Sequence, residues 1–118
     1  ALQNGQTLFI SREVKSNLIR MPNYIVLINW TDQGIKTIKD LPKRLSTSKA
    51  LMEKAGGKWQ AIYFTFGQYD VVGIAEFPND EAAVSAFLAL GSLGNVRTTT
   101  LKAFSQAEFV KIIEKLHS

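Results

Sequence analysis

A chain of 118 residues has room for one folded unit rather than two, because independent cores rarely form well below about 50 residues. Its 46% hydrophobic content argues against intrinsic disorder, and no apolar run approaches the roughly 20 residues that cross a bilayer, so no membrane association is expected. Lys and Arg number 14 against 10 Asp and Glu, and the absence of cysteine removes disulfide frameworks, thiolate metal sites and cysteine nucleophiles, which fits a reducing, cytoplasmic setting.

Residues 1–20 differ in character from the rest. Leu8, Phe9 and Ile10 form too short an apolar run for a signal peptide, and a regular pattern opens only at Met21-Pro22. The segment is expected to be an arm, either introduced or a native extension, ahead of a domain over 21–118. It carries half of the chain's net charge of +4, through Arg12, Lys15 and Arg20 against Glu13. The domain that follows is nearly balanced and lacks the clustered stripe of Lys and Arg that nucleic acid requires, so nucleic acid is not an expected partner.

The pattern over Asn23 to Trp30 predicts a strand, with Tyr24, Val26, Ile28 and Trp30 on one side and Ile25 and Leu27 on the other. Thr31 to Gly34 can cap a helix carrying Ile35, Ile38, Leu41, Leu45, Met52 and Ala55, which Pro42 should break or kink near Asp40. Ala55-Gly56-Gly57 stops it. Trp59 to Phe66 and Val71 to Phe77 read as two strands joined by a turn at Gly67-Gln68-Tyr69-Asp70. Asn79 or Asp80 caps a helix with Ala83, Phe87 and Leu90 on one face, and Val96 to Phe104 is a fourth strand. Ser105 and Glu108 have capping-box spacing for a last helix, expected to turn Phe109, Ile112, Ile113 and Leu116 inward.

The order is βαββαβ plus a C-terminal helix. Right-handed crossovers and a central hairpin make this an α+β, ferredoxin-like domain with a four-stranded antiparallel sheet and its helices on one face. Both faces are apolar, however. The second strand is read with Trp59, Ala61 and Tyr63 on one side and Ile62, Phe64 and Phe66 on the other, and the third sets Val71, Ala75 and Phe77 against Val72 and Ile74. Two helices cover one face only, whereas a half-solvated sheet alternates apolar with polar. The expected partner is therefore a second copy of the chain, packed sheet on sheet.

Gly67-Gln68-Tyr69-Asp70 followed by Val71-Val72 resembles the signature of the GYD domain family. The likeness extends to Tyr24 to Trp30 before Thr31-Asp32-Gln33-Gly34, to Lys43-Arg44, Ala55-Gly56-Gly57, Pro78 to Ala82 and Leu93 to Arg97, and it covers Met21 to Leu116. It implies a ferredoxin-like domain of the dimeric α/β barrel group and no established reaction. The hairpin also resembles that of effector-binding domains in feast/famine transcription regulators, which hold small molecules such as amino acids at subunit interfaces. The chain lacks room for their helix-turn-helix, so the likeness bears on the sensing half only.

Two constellations offer chemistry. In the hairpin, Gly67 can supply a positive φ and Asp70 can accept backbone N–H bonds across the turn, or Tyr69 and Asp70 can present a hydroxyl and a carboxylate to a polar ligand. Within the apolar strands, Asn29, Tyr63, Thr65, Arg97 and Thr99 are polar, and buried polar groups need partners, either each other or a ligand. Arg97 could hold a carboxylate or phosphate; its plainer roles are pairing with Glu76 or reaching solvent. The expected ligand-binding set is thus Asn29, Tyr63, Gly67, Tyr69, Asp70, Arg97 and Thr99.

Related dimeric barrels include cofactor-independent monooxygenases, to which Asn29, Trp30, Trp59 and Tyr63 bear a superficial likeness; aromatics in strands more often fill a core. The only histidine, His117, falls in the tail, and no metal spacing, phosphate-binding glycine loop or nucleophile elbow is present, so no metal and no cofactor is expected and no catalytic residue is assigned. Gly91 to Gly94 is more simply a helix end. Lys36, Lys39 and Lys43 suit a solvated helix face, with Lys36 and Asp40 at pairing distance. The favoured reading is a homo-oligomeric module binding a small polar or anionic metabolite. A cofactor-independent enzyme and a ligand-free assembly protein are the alternatives.

Overall fold

The computed structural model describes residues 21–117; the reading of residues 1–20 as an arm lies outside them. Eight residues of alternating character form β1 (Asn23–Trp30), with Tyr24, Val26 and Ile28 buried and Ile25 exposed between them. The Thr31 hydroxyl accepts the Gly34 N–H and starts α1 (Asp32–Lys36). A single 3-10 turn (Ile38–Asp40) separates α1 from α2 (Leu41–Lys54), whose first turn holds Pro42, where its missing N–H costs no helical bond. The break therefore falls just ahead of Pro42, as expected. It also removes the register that would have set Lys36 beside Asp40, and these two form no ion pair.

Gly56, at φ 83°, lets the chain leave α2 into β2 (Lys58–Phe64), which the hairpin joins to β3 (Val71–Glu76). Asn79 caps α3 (Asp80–Ser92) by accepting the Ala82 N–H at 2.8 Å. β4 (Val96–Ala103) and α4 (Gln106–Glu114) complete the chain, with the reciprocal Ser105–Glu108 capping box formed. The sheet order is β2-β3-β1-β4 and every neighbouring pair is antiparallel, which is the ferredoxin-like topology.

The core lies between the helices and one face of the sheet. Phe77 is fully buried at its centre, edge-on to Tyr24 at 5.8 Å and to Phe87 of α3 at 5.6 Å, with Met52 of α2 buried nearby. Edge-to-face pairs of this kind add about 0.5–1.5 kcal/mol each to the burial of the rings.

Two expectations need correction. Trp59 does not share a face with Ala61 and Tyr63. The β2–β3 register shifts between Trp59 and Ala61, so Gln60 is an extra residue and the strand changes phase there. Trp59 consequently packs edge-on against Phe87 at 6.0 Å, on the helix side with Ile62 and Phe64, while Ala61 and Tyr63 fall on the open face. β2 also ends at Phe64, short of the expected Phe66. The second correction concerns α4: the helix forms, but Phe109, Ile112, Ile113 and Leu116 stay exposed and none joins the core. Helical periodicity identifies an apolar face without saying which surface receives it.

Candidate functional site

The two ladders on β1 end at different places. β1 pairs with β4 as far as Trp30↔Val96 but with β3 only as far as Ile28↔Val71. The Trp30 N–H therefore has no ladder partner on the β3 side, and the Asp70 carboxylate accepts it at 2.8 Å. The Asp70 N–H donates to the Ile28 carbonyl, and its own carbonyl accepts the Thr65 N–H, each at 2.9 Å. The Thr65 hydroxyl donates to the Tyr69 carbonyl at 2.6 Å, and the Asn29 amide donates to the Gln68 carbonyl at 2.8 Å. Gly67, at φ 139°, makes the tip. The Asp70 carboxylate thus bonds to the neighbouring strand rather than across its own turn.

Of the expected ligand residues, the structure gathers five at this end of the sheet. Asn29 and Arg97 are direct cross-strand partners on the open face, beside the hairpin that carries Gly67, half-buried Tyr69 and Asp70. Tyr63 and Thr99 lie in the next row, Tyr63–Val72–Leu27–Thr99, on opposite edge strands and so about 14 Å apart at the usual strand spacing. Glu76 sits at the far end of the sheet from Arg97. It takes Lys58 at 3.3 Å and Gln60 at 2.6 Å, and Arg97 makes no ion pair with it.

Beyond these rows the open face is apolar. In the following row Ile25 is 36% exposed, Ile74 40% and Leu101 47%.

A separate polar cluster lies under α3, where the Tyr24 hydroxyl donates to Asp80 and Lys102 reaches the same carboxylate at 3.0 Å. Burial, followed by the bond to Asp80, pushes the Tyr24 phenol up, while the Tyr24 bond and then Lys102 hold the Asp80 carboxyl below its ordinary range. A neutral phenol donating to an ionised carboxylate is the stable arrangement, so this cluster ties β1 and β4 to the start of α3.

On the helix side a cavity of about 590 Å³ opens between α2 and the hairpin end of the sheet. The Trp30 and Phe64 rings are stacked at 6.4 Å, and the Arg44 guanidinium lies 5.6 Å from the Trp30 ring centre. Arg44 Nη2 donates to the Gly34 and Thr37 carbonyls, both at 3.0 Å. In the sequence Arg44 stands out only within the Lys43-Arg44 pair of the family likeness. The signal was its helical phase: Leu41, Arg44, Ser48 and Met52 recur on the inward stripe of α2.

A four-stranded antiparallel sheet of this order, with two crossover helices on one face, defines a ferredoxin-like α+β domain. The GYD domain model matches residues 24–113, and the chain belongs to the GYD domain family. A Thermus thermophilus relative, named glutamine synthetase and cystathionine beta-lyase binding protein, is 34% identical over 91 residues, which are 76% of this chain and 96% of the relative. Among solved structures, a feast or famine regulatory protein from M. tuberculosis complexed with L-methionine superposes with a TM-score of 0.56 at 15% identity, covering 89% of this chain and 74% of the other. The leucine response regulatory protein of Mycobacterium tuberculosis gives 0.50 at 17% identity, covering 80% of this chain and 56% of its own. At these identities the two regulators share the fold.

Proposed function

We propose that this chain is a homo-oligomeric binding module that assembles through its open sheet face and holds a small polar or anionic metabolite at the hairpin end. Asn29, Gly67, Tyr69, Asp70 and Arg97 would form that site, with Tyr63 and Thr99 on its rim. The observation that carries the reading is the uncovered apolar surface. The open face presents Ile25, Ile74 and Leu101, and α4 presents Phe109, Ile112 and Ile113, with no cover among the described residues. Contiguous apolar patches beyond a few hundred Å² mark association surfaces in soluble proteins. A second copy is the occupant that fits, because the open face is itself a broad and nearly uncharged sheet surface. The methionine complex of the structural neighbour supports an amino acid as the class of metabolite.

Sedimentation at low micromolar concentration tests the assembly: the wild type is expected as a dimer or larger, and the Ile74→Lys/Leu101→Glu variant as a monomer. A monodisperse wild-type monomer overturns it. Isothermal titration with L-methionine and L-glutamine, on the wild type and Arg97→Ala, tests the ligand.

The name of the Thermus relative favours a second reading, in which the module docks on enzymes of amino-acid metabolism. Interferometry with immobilised glutamine synthetase separates the two readings.

A further inference from the structure

We infer that the cavity beneath α2 is a second binding site, for a monocarboxylate with an apolar and preferably flat body, and that Arg44 receives the carboxylate. The site does not depend on the function proposed above. Trp30 and Phe64 face the helices, whereas Asn29 and Arg97 occupy the opposite face of the sheet.

Size is the first argument, since about 590 Å³ falls within the roughly 300–1,000 Å³ typical of small-ligand pockets. The walls are the second: Trp30, Phe64, Ile62, Leu41, Leu45 and Leu90 make most of the lining apolar. Arg44 is the third. A guanidinium carries five N–H donors, and the two on Nη2 are spent on the Gly34 and Thr37 carbonyls. Nε and Nη1 are buried and have no acceptor. Buried donors left without acceptors are costly, and a charge beside apolar walls is costlier still unless it meets an opposite charge. A carboxylate in the cavity supplies the opposite charge, and a turn of the guanidinium toward it brings Nε and Nη1, which have no accessible surface as placed, onto its oxygens.

The charge of the lining narrows the class. Lys43 and Asp40 also border the cavity, so with Arg44 it carries one net positive charge, which matches a monoanion better than a dianion and disfavours a cation. The stacked Trp30 and Phe64 rings add a flat wall, and Trp30 is held in place by the Arg44 guanidinium.

The test is a titration of the ¹⁵N-labelled 118-residue chain with 4-phenylbutyrate, using 4-phenyl-1-butanol as its uncharged match. The indole N–H signals of Trp30 and Trp59, the two tryptophans of the chain, report the cavity. Saturable shifts of both indoles are expected with the acid, and affinity about tenfold or more weaker with the alcohol, the size of effect lost with a charge-assisted bond. Arg44→Met should weaken the acid to the level of the alcohol. Because Arg44 also ties down the Gly34 and Thr37 carbonyls, a second variant, Ser48→Leu, keeps the Arg44 side chain and fills the cavity from α2; it removes the Ser48 acceptor of the Trp59 indole, so the Trp30 signal is read there, and acid and alcohol should weaken alike. Equal affinity for acid and alcohol overturns the inference. So does unchanged acid binding in both variants, or shifts confined to Ile25, Ile74 and Leu101 on the open face.

Discussion

Replacing Asp70 with alanine removes one carboxylate bond and leaves a backbone donor behind. The Trp30 N–H loses its acceptor at 2.8 Å, at a point where β1 has already run past its pairing with β3. Hydrogen bonds to charged groups contribute about 1.5–3 kcal/mol, and the half-buried position of Asp70 places the loss toward the lower end, at about 1–2 kcal/mol. For a domain of this size each kcal/mol moves the melting temperature by about 4–8 °C, so Asp70→Ala should lower it by about 5–15 °C. Asp70→Asn keeps an acceptor oxygen and should lose less than half as much. The assay is thermal and urea unfolding of the three proteins at one fixed concentration, with amide exchange at Trp30 as the local readout. A melting temperature within about 2 °C of wild type for Asp70→Ala would show that this bond contributes little and refute the argument. If Asp70→Asn instead abolishes amino-acid binding at an unchanged melting temperature, the carboxylate belongs to the ligand site.

Gly73→Ala should destabilise the fold by about 1–3 kcal/mol in urea unfolding, because an added Cβ would stand 2.5 Å from the Trp59 ring and 3.1 Å from the Ala61 carbonyl oxygen; an unchanged midpoint would mean that the indole moves aside freely. Acid stability follows from two carboxyls. Asp80 lies below its ordinary value of 3.8 through Tyr24 and then Lys102, and Glu108 below 4.5 through the backbone N–H and then the hydroxyl of Ser105. Since their folded values are lower than their unfolded ones, the stabilisation is complete above the ordinary values and is lost as pH falls through the folded ones. Melting temperatures recorded from about pH 6 to about pH 2 should decline, and Asp80→Asn should flatten the decline; parallel curves would contradict it.

The order of elements was legible because local signals agreed with one another. Thr31, Asn79 and Ser105 cap the helices expected to follow them, and the clean alternation of β1 places Tyr24, Val26 and Ile28 in the core. What escaped was non-local. The phase of Trp59 depends on an inserted residue, which a pattern with a fixed period of two does not register. The acceptor role of Asp70 depends on where two ladders end relative to each other, which no single segment encodes. Arg44 is one half of a basic pair in the sequence, and only the approach of α2 to Trp30 encloses it.

The extra residue in β2 has a consequence for how the molecule meets its neighbours. β2 is an outer strand of the sheet, and an outer strand offers unpaired backbone groups on which a foreign strand can grow. The irregularity at Gln60, whose amide is fastened to buried Glu76 at 2.6 Å, interrupts that template partway along its length. Lys58 adds a charge at the same rim. Edge-on extension into a continuous ribbon is thereby discouraged on that side, which leaves the flat of the sheet and the apolar side of α4 as the surfaces open to association.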